Sequence, residues 1–320
     1  MTNTFKNTVK ILCVCLAIFL PVATQAQTDW EIIFRHPADY HELWFGIGDD
    51  ERSAHRIFRL PRPIRALSIQ KGGRYIVAVD DDKLPDLVDV YLLDREKPGT
   101  EAKNLTRGEY TQIPDAAISR NGDIVFINLS FVIPRNGNFI RGLYLIPFRE
   151  IEKKRPKAEL LLEVDAEHVD WAPNGKEIVY ETDWGIFHFD IRTKKISHIT
   201  KDGTSPVFSP DGKKIAFLTI TNPTKIGIKI AGRRDIKYIE PEEIGLEKVG
   251  LEEGANAINV TWSVDGQSIV YTVFNTFDPA SYSNFVVPID GGDPEQIFKC
   301  ISRTDCHFLS GQNFPRPLTL

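Results

Sequence analysis

The stretch Gly203-Thr204-Ser205-Pro206-Val207 comes nearest to a nucleophile motif, because a G-x-S-x-G turn lifts a serine above a sheet for acyl transfer. Its second glycine is missing and Ser205 precedes a strand instead of sitting on a strand-to-helix turn, so no nucleophile is assigned. Seven histidines are present, none in H-E-x-x-H spacing, and the loop pair His36 and His41 around Asp39 is no metal site by itself. Asp80-Asp81-Asp82 supplies carboxylates for calcium but lacks the glycine and the acidic twelfth position of a calcium loop, and reads as a solvated hairpin tip. Cys300 and Cys306 either pair as a disulfide in an oxidising compartment or stay two buried thiols. With only Lys299 beside Cys300 and His307 beside Cys306, neither thiol reads as catalytic. The reading is therefore no catalytic residue, no metal and no cofactor.

The elements that would position polar groups are repeats. Trp171-Ala172-Pro173-Asn174-Gly175, Phe208-Ser209-Pro210-Asp211-Gly212 and Trp262-Ser263-Val264-Asp265-Gly266 each place an aromatic residue before a tight turn, and an apolar strand follows. Proline presets the first central turn position, Asp or Asn tolerates the second, and glycine accepts the left-handed conformation that returns the chain. Weaker copies are Ile118-Ser119-Arg120-Asn121-Gly122 and Ile69-Gln70-Lys71-Gly72-Gly73. The turn glycines fall at 73, 122, 175, 212 and 266, spaced by 49, 53, 37 and 54 residues, which is the spacing of a repeated four-stranded unit with loop insertions. Asn104-Leu105-Thr106-Arg107-Gly108 recurs as His198-Ile199-Thr200-Lys201-Asp202-Gly203 and closes two of the units.

The aromatic-Ser-Pro-Asp-Gly-Lys-x-Ile-Ala-Phe pattern resembles the TolB-like β-propeller repeat family, whose repeat is shared with the propeller halves of prolyl-oligopeptidase-type enzymes. The resemblance covers roughly residues 64 to 301 and is strongest from 168 to 275. It implies an all-β β-propeller of four-stranded antiparallel blades, and counting the repeats makes it six-bladed. Five blades carry the turn motif. The sixth is expected to be composite, with the strands of residues 29–60 completed by an inner strand from the C-terminal segment around Cys306 to Leu309. Trp171, Phe208 and Trp262 read as apolar plugs between blades, and Gly175, Asp211, Gly212, Asp265 and Gly266 as turn formers, so all of these are structural.

Inner strands precede the turn, and function in a propeller sits on the rim where those strands begin. The polar residues there are Arg65, Asp115, His168, Asp170, Ser205 and Asn259, expected to converge on one funnel. The bland alternative is a water-filled channel whose groups satisfy one another.

Lys6 and Lys10 precede the apolar run Ile11 to Leu20, and Thr24-Gln25-Ala26 supplies small residues for cleavage, so residues 1–26 read as a secretory signal peptide and 27–320 as a single propeller domain. Neither Cys13 nor Cys15 follows the small residue a lipid anchor needs. Removing the leader takes the formal charge from −5 to −7, which disfavours nucleic acid. After Ala26 strands begin almost at once, leaving no room for the N-terminal α/β domain of TolB. The expectation is a periplasmic or secreted monomer with no membrane span, binding a protein or peptide of the cell envelope through its funnel face. Two alternatives are a carbohydrate-active propeller enzyme similar to pectate-fragment lyases, with a polar channel site, and the propeller remnant of a prolyl-oligopeptidase-type hydrolase.

Overall fold

Each repeat folds because its turn is closed by hydrogen bonds that its own residue types supply. The amide of the turn glycine donates to the carbonyl three residues back in every copy: Gly73 to Gln70 at 2.7 Å, Gly122 to Ser119 at 3.0 Å, Gly175 to Ala172 at 2.9 Å, Gly212 to Ser209 at 2.8 Å and Gly266 to Ser263 at 2.9 Å. All five glycines have φ between 66° and 89°, the left-handed region where a Cβ is costly. In the fullest copies the serine and aspartate add a second layer. Ser209 Oγ donates to Asp211 Oδ1 at 2.6 Å and accepts from Lys214 N at 2.9 Å, while Asp211 Oδ1 also accepts from Lys213 N at 3.0 Å. Ser263 and Asp265 repeat that arrangement, with 2.6 Å between Ser263 Oγ and Asp265 Oδ1.

The computed structural model describes residues 31–35, 41–47, 50–70, 73–80, 87–97, 100–130, 140–221, 224–240, 255–263, 265–275 and 282–300. Strands β1 (Glu31–Arg35), β2 (Glu42–Ile47) and β3 (Asp50–Arg59) form a three-stranded antiparallel meander. Five four-stranded blades follow. The first is β4 (Ile64–Ile69), β5 (Tyr75–Asp80), β6 (Val90–Asp94) and β7 (Lys103–Asn104). The second is β8 (Ala116–Ile118), β9 (Ile124–Asn128), β10 (Gly142–Ile146) and β11 (Glu159–Glu163), with the short helix α1 (Phe148–Ile151) before its last strand. The third is β12 (Val169–Trp171), β13 (Glu177–Thr182), β14 (Gly185–Asp190) and β15 (Lys195–Thr200). The fourth is β16 (Gly203–Phe208), β17 (Lys214–Thr219), β18 (Ile226–Ile230) and β19 (Ile236–Ile239), and the fifth is β20 (Ala255–Trp262), β21 (Ser268–Asn275), β22 (Tyr282–Pro288) and β23 (Glu295–Cys300).

The all-β propeller reading stands with five blades among the described residues, which corrects the expected six. The proposed composite blade is absent among the described residues, where β1, β2 and β3 are hydrogen-bonded only within their own three-stranded sheet. A blade takes its inner strand from the residues before a turn glycine, and the described residues between 31 and 59 contain no such turn. The expected partner strand at Cys306 to Leu309 lies outside the described residues, as do the Cys300 to Cys306 pairing, the 1–26 leader and His36. No helix among the described residues is long and apolar enough to cross a membrane.

Packing explains why the apolar runs are continuous. Second strands such as β9 and β17 are buried almost throughout, because neighbouring blades cover both faces, whereas the fourth strands β11 and β15 are largely exposed. The core therefore lies between blades: Val77 and Val79 of the first pack with Ile118, Ile124 and Phe126 of the second. The two plug tryptophans also reach across by hydrogen bond. Trp171 Nε1 donates to Ala117 O at 3.1 Å and Trp262 Nε1 to Val207 O at 3.2 Å, so each indole closes on the inner strand of the preceding blade. Phe208, half-buried, packs its ring edge against His188 with centroids 6.2 Å apart.

Candidate functional site

The inner strands β4, β8, β12, β16 and β20 lie side by side in chain order. At the end where they begin they enclose a cavity of about 430 Å³. Arg65, Asp115, His168, Asp170, Ser205 and Asn259 all line it, so the structure brings together every residue that the sequence placed on the rim.

Backbone irregularity aims several of these side chains. Register breaks occur between Ile64 and Ala66, between Thr204 and Val207, and between Ala257 and Asn259, putting Arg65 and Ser205 in bulges and Asn259 directly after one. A bulge leaves a residue out of the ladder and redirects its side chain. Ser205 goes further, with φ of 52°, a left-handed conformation that costs a non-glycine residue roughly 1 to 2 kcal/mol. Its amide is held by Glu181 Oε2 at 2.8 Å, which compensates that cost locally.

Glu181 is the site residue the sequence reading missed. Its Oε2 accepts from Ser205 N and Thr204 Oγ1, both at 2.8 Å, and lies 2.8 Å from His168 Nδ1. The signal was a carboxylate directly after the apolar run Ile178-Val179-Tyr180 of β13. Burial alone would raise its pKa, but the hydrogen bond and charge of His168 with the donors from Ser205 and Thr204 hold it below the usual value. His168 shows the reverse balance. Enclosure in the cavity wall works against its charged form, yet the bond to Glu181 and the charges of Asp115, Glu181 and Glu167 raise its pKa. The 45% of its side chain that remains exposed faces the cavity end.

Two of the carboxylates brace blades. Asp115 Oδ2 accepts from Val169 N of the third blade at 3.2 Å and its Oδ1 from Ala116 N at 2.8 Å. Asp170 Oδ2 accepts from Phe208 N of the fourth blade at 2.8 Å. Ser68 continues the series, its Oγ accepting from Ile118 N of the second blade at 3.2 Å. Burial pushes Asp115 up to about 6, although His168, those two amides and Arg65 all pull it down. Among the described residues no cluster of three or more His, Cys, Asp or Glu side chains is arranged to hold a metal ion.

No protein-family model matches the chain, and no curated protein matches it either. Solved structures do. A candidate TolB of Agrobacterium tumefaciens superposes with a TM-score of 0.60 at 17% identity, over 83% of this chain and 91% of that one. TolB of Acinetobacter baumannii gives 0.58 at 16% identity over 84% of this chain, which spans only 64% of that longer protein. The Cps50 (Swd1) β-propeller domain of Myceliophteria thermophila gives 0.53 at 12% identity, over 92% and 91% of the two chains. At these identities the likeness establishes the TolB-like propeller fold.

Proposed function

We propose that this chain is a periplasmic or secreted scaffold that binds a protein or peptide partner in the cavity at the funnel end of its blades. One observation supports this most: five blades each contribute a polar residue, in the inner strand or directly before it, to the same cavity of about 430 Å³. A site assembled from the ends of several rigid strands presents fixed hydrogen-bonding groups without ordering cost, which is what recognition needs. The TolB-like fold of the similar structures is consistent with a binding role in the envelope. A carbohydrate-active channel enzyme has less support, because Asp115 and Asp170 already hold backbone amides of the next blade.

The test is capture from envelope extract by the full chain and by Asn259→Trp, which fills the cavity from a side chain that makes no hydrogen bond among the described residues. A partner retained by the parent and lost by the filled variant, with far-UV circular dichroism unchanged, is the expected result. Equal capture by both would move the interface elsewhere.

A further inference from the structure

The cavity's polar groups divide into those already used and those left over. Asp115 and Asp170 point their oxygens at backbone donors of the wall, and His168 is engaged by Glu181, which stands behind the lining. Arg65, Gln112, Glu167 and Asn259 line the same space, and among the described residues their side chains make no hydrogen bond or ion pair, although the charge of Arg65 acts on Asp115. Arg65 owes its position to the bulge in β4. A guanidinium is a planar fork of donors that matches a carboxylate bidentately, and a carboxamide beside it donates one hydrogen bond more.

A second observation concerns the same end of the molecule. Trp184, 77% exposed, sits in the tight turn after β13, three residues beyond Glu181. Ile220, 66% exposed, follows Thr219, which pairs with Gly203 two residues before Ser205. Large apolar side chains thus stand at the strand ends that carry the polar cavity, a combination suited to a peptide with apolar residues beside a charged one.

We propose that the occupant is an acidic peptide whose carboxylate pairs with Arg65 while its neighbouring apolar side chains meet Trp184 and Ile220. This rests on the cavity being the binding site. A single planar negative charge suits the position better than a phosphate dianion, since Glu167 and Asp115 also line the space. The carboxylate comes from an Asp or Glu side chain or from a free C-terminus.

The experiment measures fluorescence polarisation of labelled decapeptide pools with the full chain. One pool is rich in Asp and Glu beside Leu and Trp with a free C-terminus; the others are its amidated form, its Asn/Gln counterpart with free and with amidated C-terminus, and a Lys-rich counterpart. Expected is preference for carboxylate-bearing pools, weakened about 10- to 100-fold by Arg65→Gln and turned towards the Lys-rich pool by Arg65→Glu. Loss on amidation of the Asn/Gln pool identifies the C-terminus as source; retention by the amidated acidic pool identifies the side chain. Binding of neutral or basic pools in preference, abolished by Asn259→Trp but indifferent to Arg65, would overturn the carboxylate and leave the cavity reading intact. Failure of every pool, or binding indifferent to both substitutions, would overturn both.

Discussion

Glu181 shows how one residue ties three parts of the site together. One of its two carboxylate oxygens, Oε2, meets His168 of its own blade and Thr204 and Ser205 of the next. The pairing has a pH signature. His168 has its pKa raised above 6.5 in the fold, so its contribution to stability is complete below pH 6.5 and is lost as pH rises through the raised value. Glu181 has its pKa lowered below 4.5, so its contribution is present above pH 4.5 and is lost as pH falls through the lowered value. The Tm deficit of His168→Gln relative to the parent is therefore expected to be greatest at about pH 5.5 and to shrink by about pH 8. A deficit that stayed constant across that range would remove the charged pair from the account.

At the scale of the strand and its turn, the aromatic before each turn sets the spacing between blades. Trp171 is 4% exposed and its indole N–H is bonded to Ala117 O. Trp171→Ala opens a cavity between two blades, and is expected to lower the urea-derived stability by about 3 to 5 kcal/mol. Trp184→Ala removes the same side chain from an exposed turn and is expected to change stability by less than about 0.5 kcal/mol. Equal losses from the two would mean that the plug role belongs to something other than burial. The repeats were legible at this scale because Ser209 and Asp211 close the turn through short polar side chains and Gly212 takes a left-handed φ that other residues adopt at a cost. The bulges at Arg65 and Ser205 were not, since the prolines beside them, Pro61 and Pro63 before the first and Pro206 after the second, read equally well as ordinary strand starts.

At the scale of the whole molecule, the five four-stranded blades are linked in series by bonds that cross from one to the next: Ser68 to Ile118, Asp115 to Val169, Asp170 to Phe208 and the two indoles. Such cross-links, together with cores that lie between blades, favour one cooperative transition over blade-by-blade loss. Near-UV and far-UV circular dichroism are expected to give coincident urea midpoints, and separated midpoints would show that blades unfold independently. The local sequence by itself determined the strands, the turns and which polar residues open each inner strand, because hydrophobic periodicity and turn chemistry act over a few residues. The number of blades and the partnership of Glu181 with His168 and Ser205 were decided only in three dimensions. Both depend on which strands meet across tens of residues, and a strand's own alternation carries no record of its neighbour.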